Sequence, residues 1–395
     1  MSEVEDSFQS ILFITPQPFL QWRGSPIRVK LDVEALTELG HRVDLLAFPI
    51  GEDPQIPRVN VIRAPNPFGI SNVPVGPSLT KALLDVFLLF KALQLSYKTH
   101  YDVVHCVEEA ALVGLLLKWL RGYKFVYEKH SHISSYKKGP LRNAVLGIYK
   151  FLETFVIRKA DLTFAGPGVY KEVTAINKQG CSQVIYAIPS SHVTSNTQRA
   201  EEIRRQLALE ENDLLLTYVG TFAQYQGIDL LMAAIPEVIK ERNNAKFLII
   251  GGFPDEIEQC KGLLDSRGVL DHVSFLGLRN PDETAHYLFA SDILLSPRTA
   301  GKTNPIKIFD YLKANRPIVA TNNISNSRIL DNSICQLTEI EATDFARGII
   351  DLMNDPDRRA NLANQGKKLI DEHYNYDKFK QWVNSGYDKM LEGNC

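Results

Sequence analysis

At 395 residues the chain exceeds one ordinary domain of about 150 residues, so more than one is expected. Its 45% hydrophobic and 23% charged residues are those of a globular protein, and a net charge of −2 argues against nucleic acid as a partner. Five scattered cysteines without a CxxC pair argue against a zinc site or a disulfide framework, and fit a reducing, cytoplasmic setting.

The first ten residues are acidic and polar, unlike a secretory leader. Residues 11–15 (ILFIT) predict a short buried strand closed by Pro16. A helix is expected over 29–39, ended by Gly40, and strands over 43–47 and 59–63. A Pro/Gly-rich loop, 64–78, follows. Residues 79–97 read as a helix, and Lys81, Asp85 and Lys91 make it a poor membrane span. It suits a buried amphipathic helix or a surface helix touching a membrane, as does 112–122. Strands at 103–106, 125–128, 162–165 and 183–187 alternate with helices at 109–120 and 141–159. The polar stretch 190–198 reads as a linker.

A second series follows, with strands at 214–219, 246–250, 273–276, 293–296 and 317–321. Helices are expected over 228–241, 254–267, 282–289 and 307–313, then 340–354, 356–374 and 378–391. The alternation predicts an α/β chain of two tandem Rossmann-like domains, each a doubly wound parallel sheet, facing a cleft. The domains are placed at 1–190 and 191–376, with 377–395 a closing helix.

Candidate site residues stand at the carboxyl ends of these strands. Gly24 would let backbone approach a ligand and Ser25 would cap the following helix, although a plain turn explains both. No GxGxxG is present, which counts against a nicotinamide or flavin enzyme. His130 and His132 follow the FVYE strand, where histidine can bond a sugar hydroxyl or move a proton; surface loop histidines are the plain alternative. Further ligands at metal spacing are not apparent, so no metal is expected. Glu108 and Glu109 open a helix, where its dipole alone favours acids, or where they bind an acceptor.

In the second series Gly220 to Gly227 is a strand-to-helix loop of the phosphate-binding kind, and Gly251–Gly252 and Gly277–Leu278 end two more strands. The segment 296–321, SPRTAGKTNPIKIFDYLKANRPIVAT, surrounds a helix start with Arg298, Lys302 and Lys307 and adds one acid, Asp310. Such cations suit a diphosphate, and the acid suits a sugar hydroxyl.

Together these residues resemble the GT-B nucleotide-sugar glycosyltransferases of family 4, the retaining class, over almost the whole chain. The specific parts are S-P-R, N-P-x-K-x-F-D-Y-L and R-P-I-V-A-T, with YVGTFAQYQGIDLL, YDVVHCVEEAALVG and YNYDKFKQWV in support. The resemblance implies sugar transfer from a nucleotide-diphosphate sugar, UDP- or GDP-linked, to a glycan or lipid-linked hydroxyl, with no obligatory cofactor. The closing helix would cross back to the first domain. His130 would contact the sugar and Lys307 the diphosphate, both as catalytic groups. Gly24, Ser25, Gly220, Thr221, Gln226, Gly252, Leu278, Arg298, Lys302, Thr303, Asn304 and Pro305 would bind the donor, with Asp310 on the ribose. Glu108, Glu109 and His132 would serve the acceptor.

Three positions depart from the family pattern. Lys302 stands where the first acid of an E-x7-E motif is usual, and Thr221 and Gln226 stand where the phosphate loop usually has Arg and Lys. Arg298, Lys302 and Lys307 would then supply the positive charge from the other side. A nucleotide-sugar epimerase on the same fold, or a non-catalytic nucleotide-sugar-binding partner, remains open. Lys137, Lys138 and Arg142 beside apolar helices hint at a lipid-linked acceptor and peripheral contact with the inner face of a membrane.

Overall fold

A computed structural model describes residues 8–19, 24–51, 56–71, 73, 78–130, 140–301 and 305–394, with backbone only over 140–146. The chain divides into two compact units, one of 1–186 with 377–395 and one of 187–376.

The first unit runs β1 (Ser10–Thr15), α1 (Gly24–Glu38), β2 (Arg42–Ala47), β3 (Val59–Arg63), α2 (Leu79–Lys98), β4 (Val103–Val107) and α3 (Ala111–Arg121). It continues through β5 (Lys124–Lys129), α4 (Pro140–Lys159), β6 (Leu162–Ala165), α5 (Pro167–Ile176) and β7 (Cys181–Val184). Its strands form one parallel sheet in the order β3-β2-β1-β4-β5-β6-β7. Ile11 to Ile14 are all fully buried, because helices cover both faces and leave no solvent side to alternate toward.

The second unit runs α6 (Thr197–Gln206), β8 (Leu214–Val219), α7 (Ile228–Glu241), β9 (Ala245–Ile250), α8 (Pro254–Asp265), β10 (Val273–Gly277) and α9 (Pro281–Ala290). Then come β11 (Ile293–Ser296), α10 (Ile306–Lys313), β12 (Ile318–Thr321), β13 (Gln336–Thr338), α11 (Ala342–Asn354) and α12 (Pro356–His373). Its sheet is parallel in the order β10-β9-β8-β11-β12-β13. The strand order reverses between β1 and β4 in one sheet and between β8 and β11 in the other. Such switch points are where open α/β sheets bind ligands.

The last helix, α13 (Tyr376–Glu392), packs in the first unit through Phe379, Val383, Gly386, Tyr387 and Met390, which share one face at helical spacing. No helix among the described residues is long and apolar enough to cross a membrane.

Several expectations need correction. Helix α1 starts at Gly24, five residues before 29, so Ser25 lies inside the helix and does not cap it. The apolar rhythm misled there because Arg28 and Asp32 point inward as a buried ion pair. The stretch 190–198 is not a free linker. Ser190 and Ser191 are buried, and α6 begins at Thr197. Helix α6 carries a single buried residue, Ile203, and so shows no apolar periodicity to read. Cys181 is disulfide-bonded, with a partner outside the described residues, whereas Cys106, Cys260 and Cys335 are free. Spacing along the chain could not show that approach.

A methyl group added at Gly386 would lie 2.7 Å from the Phe164 ring. Gly386→Ala should therefore cost about 1–3 kcal/mol through overpacking, read as a lowered urea midpoint.

Candidate active site

In the first unit the loops after β1, β4 and β5 converge on Glu128, at the buried end of β5. Its Oε1 lies 3.1 Å from Arg28 Nη2 and 3.0 Å from His130 Nε2, and Oε2 lies 3.3 Å from His105 Nε2. These are charge contacts, out of line for straight hydrogen bonds. Burial alone would push the Glu128 carboxyl up, but Arg28, His130 and His105 together hold it well below its ordinary range. Arg28 Nε also donates to Asp32, at 3.0 and 3.1 Å, and the guanidinium sits 4.6 Å from the Phe379 ring centre. Burial keeps Asp32 well above its ordinary range and His105 below its own.

His130 Nδ1 lies 2.5 Å from Ser25 Oγ, which accepts from Gln17 Nε2 at 2.7 Å. The His130 N–H donates to Glu108 Oε1 at 2.9 Å. Tyr387, on α13, bonds His105 Nδ1 at 2.9 Å. Both ring nitrogens of His130 thus face protein groups, and the Ser25 hydroxyl stands in front of them. Asp32, Glu128 and His130 bring ligand-type atoms within 4.8 Å of one another. Arg28 already supplies the positive charge those carboxylates call for.

Glu108 and Glu109 do not open α3. They form a one-turn 3-10 helix before it, with Glu108 at φ 50°. Glu108 is buried against the His130 backbone, and Glu109 pairs with Lys81 at 2.8 Å. The dipole expectation fails because the two carboxylates answer to specific partners. Gly24 is exposed at the start of α1. His132 lies outside the described residues.

In the second unit the loops after β8 and β11 lie against each other. A Cβ on Gly227, at φ 77°, would come within 1.8 Å of the Pro297 carbonyl oxygen, and one on Gly251, at φ 124°, within 1.9 Å of that of Gly220. Only glycine permits both approaches. Tyr311 on α10 ties the two strands, accepting from the Val219 N–H at 2.8 Å and donating to the Leu295 carbonyl at 3.2 Å.

Arg298 and Lys307 are buried at this junction. The Arg298 guanidinium lies 5.0 Å from the Tyr225 ring centre, and its Nε donates to the Ala300 carbonyl at 2.8 Å. Lys307 Nζ lies 4.3 Å from the Tyr218 ring centre and 3.0 Å from where a Gly220 Cβ would stand. It has no hydrogen-bond partner among the described residues. Burial, then the charge of Arg298, push Lys307 well below its ordinary range; burial likewise lowers Arg298.

Asp310 accepts from the Ser190 N–H at 2.6 Å and from its hydroxyl at 2.9 Å. Pro305 caps α10, while Thr221 accepts from the Tyr218 hydroxyl through its carbonyl. Gln226 keeps a buried, unpartnered Oε1 among the described residues. Gly252 packs under Phe222, and Leu278 is exposed. Lys302, Thr303 and Asn304 lie outside the described residues. Sequence reasoning missed Arg28, Gln17, His105, Ser190, Tyr218 and Tyr225. The signal available for Arg28 was an acid four residues on, at Asp32.

Two family models match, "Glycosyl transferases group 1" over residues 199–369 and "Glycosyltransferase Family 4" over 27–166. The chain belongs to the family 4, group 1 glycosyltransferases. It is a GT-B glycosyltransferase by fold and by family. An uncharacterized glycosyltransferase of Methanocaldococcus jannaschii is 25% identical over 91% of this chain and 93% of its own. The alpha-monoglucosyldiacylglycerol synthase of Streptococcus pneumoniae is 23% identical over 67% of this chain and 61% of its own. Among solved structures, HepE of Anabaena in complex with UDP-glucose aligns with a TM-score of 0.74 and 16% identity, over 96% of this chain and all of that one.

Burial raises the Asp310 carboxyl from 3.8 to about 6, against the bonds from Ser190 that lower it. The folded protein then holds more proton than the unfolded chain between those values, so its stability falls as pH rises through that window. Asp310→Asn should flatten that slope in urea titrations run from pH about 4 to about 6.5.

Proposed function

We propose that this glycosyltransferase moves a sugar from a UDP- or GDP-sugar to a hydroxyl of a lipid-linked or glycan acceptor, keeping the anomeric configuration. The observation that carries the reading is the pair of buried basic groups, Lys307 and Arg298, at the β8–β11 switch point, with no acid beside them among the described residues. A diphosphate carries about two negative charges and is costly to desolvate unpaired, so it matches this site. The usual Arg and Lys of the β8 loop are Thr221 and Gln226 here, and Lys307 reaches the same loop from α10. The UDP-glucose bound by HepE supports a donor of this chemical class.

Retention by two displacements needs a carboxylate free to attack carbon, paired with another about 5 Å away. Among the described carboxylates of the first unit's cluster, Glu128 and Asp32 are held by Arg28 and Glu108 by the His130 backbone. Front-face displacement fits better. The C1–oxygen bond to the diphosphate breaks as the acceptor oxygen bonds C1 on the same face, and a departing phosphate oxygen takes the acceptor's proton. Lys307 and Arg298 stabilise the charge that develops on that leaving group. In the first unit Ser25, held by His130 and Gln17, and Gly24 are the groups we assign to donor contact. Asp310 serves the ribose by exchanging its bond to Ser190.

The acceptor lies at an anionic membrane surface, on the inner face. Helices α2, α3 and α4 pack side by side, and each has an exposed apolar stripe: Leu83, Val86 and Phe90; Leu112 and Trp119; Ile148 and Phe151. Trp119 and Phe155 rings lie 6.1 Å apart, and Arg121 lies over Tyr97 at 5.1 Å, so the stripes join. The three helices carry three, two and four lysines and arginines against one, no and one acid, in a chain of net charge −2. That local charge complements anionic headgroups. The name of the Streptococcus pneumoniae relative, a diacylglycerol glucosyl synthase, supports a lipid acceptor.

Lys307→Ala should weaken UDP or GDP binding at least about tenfold, the loss of one charge-assisted contact, by isothermal titration. Unchanged affinity would remove the basis of this reading. Phe90→Ser combined with Phe151→Ser should lower co-sedimentation with phosphatidylglycerol vesicles without lowering nucleotide affinity, whereas equal vesicle binding would count against the membrane face.

A further inference from the structure

We propose that the empty donor site holds Lys307 as a neutral amine, and that a nucleoside diphosphate binds together with one proton taken from solvent. The inference rests on the donor reading above and concerns what the bare lysine does before the nucleotide arrives.

The geometry isolates the amine. Lys307 lies in the first turn of α10 with its side chain buried. Facing it are the Tyr218 ring of β8, the Gly220 backbone after β8, and Arg298 after β11, a second cation. On its own helix the only acid is Asp310, bonded to Ser190, and Lys313 is a further cation that donates to the Ser191 carbonyl at 2.5 Å. Tyr311 is spent on Val219 and Leu295. The neighbouring residues 302–304 are Lys, Thr and Asn, so that stretch of chain contains no carboxylate. A buried ammonium beside a guanidinium, with no anion beside it among the described residues, loses hydration and gains repulsion; both favour the neutral amine.

A diphosphate reverses both effects. Its oxygens replace the lost water and its charge draws a proton onto the amine. The proton comes from solvent, and the ion pair forms as the ligand seats. By linkage, affinity should then fall as pH rises above the empty-site pKa, by up to about tenfold per unit. Arg298, whose guanidinium stays protonated, gives the incoming phosphate a fixed charge to meet first.

The test is isothermal titration of the full chain with UDP and with GDP at pH 8, in HEPES and in Tris. These buffers differ in ionisation enthalpy, so the slope of measured enthalpy against it counts protons. At that pH the free nucleotide's terminal phosphate and Asp310, at about 6, are already ionised and contribute little. The native protein should take up a large fraction of one proton per nucleotide, on the order of 0.5–1, and Lys307→Arg should bind with no uptake. Binding by the native protein with zero slope would overturn the inference and leave the donor reading standing. Uptake that persists in Lys307→Arg would also overturn it, by assigning the proton to another group. If neither nucleotide binds the native protein, the donor reading falls and this inference with it.

Discussion

Among the described residues, Lys307 and Arg298 are buried beside each other without a counter-ion, and the loops after β8 and β11 meet around them. Keeping both groups charged away from water would cost several kcal/mol even after relaxation, which is why burial beside Arg298 favours the neutral form of Lys307. Aromatic faces offset part of it, Tyr218 under the lysine and Tyr225 under the guanidinium. The backbone makes the site possible, since Gly227 lets the β8 loop press against Pro297 and so brings Tyr225 on that loop to the Arg298 guanidinium. A site built at such a cost has its natural partner in a ligand that carries the missing negative charge.

The first unit solves the opposite problem. There the buried charge is Glu128, and it is compensated within the protein by Arg28, with two imidazoles at its remaining edges. Compensation makes the cluster rigid. The His130 ring cannot turn without leaving Glu128 and the Ser25 hydroxyl, and Glu108 holds its backbone N–H. Helix α13 contributes directly, through the Phe379 ring against Arg28 and the Tyr387 hydroxyl on His105. The last helix of the chain is therefore part of the electrostatics of this cluster as well as of its packing. Among the described residues, one unit holds buried basic groups without an acid and the other a buried carboxylate compensated within the protein.

Family membership sets the chemistry but leaves the acceptor to local surface. The exposed stripes on α2, α3 and α4 would be ordinary if they stood singly. Their joining through Trp119, Phe155, Tyr97 and Arg121, and the excess of cations around them, distinguish this face. Asp310 illustrates a second local choice. It is one methylene shorter than the glutamate usual in the family motif, and in the structure Ser190 takes its carboxylate.

Strand–helix alternation made the two α/β series legible from sequence, because buried parallel strands are short apolar runs and their crossovers are helices. The segment 296–321 was legible for the same reason, with its helix and following strand found within one residue. Family resemblance pointed to Lys307, Asp310 and His130. Tertiary structure alone decided what those residues meet. Arg28 lay outside the expected helix and had no assigned role until β5 brought Glu128 to it. Ser25 looked like a cap until His130 and Gln17 claimed its hydroxyl. What surrounds Lys307 among the described residues, Tyr218, Gly220 and Arg298 with no acid, comes from the ends of β8 and β11, about eighty residues apart in sequence. Periodicity reports which face of an element is buried; it carries no record of which charges are buried together, and that pairing sets what this site can bind.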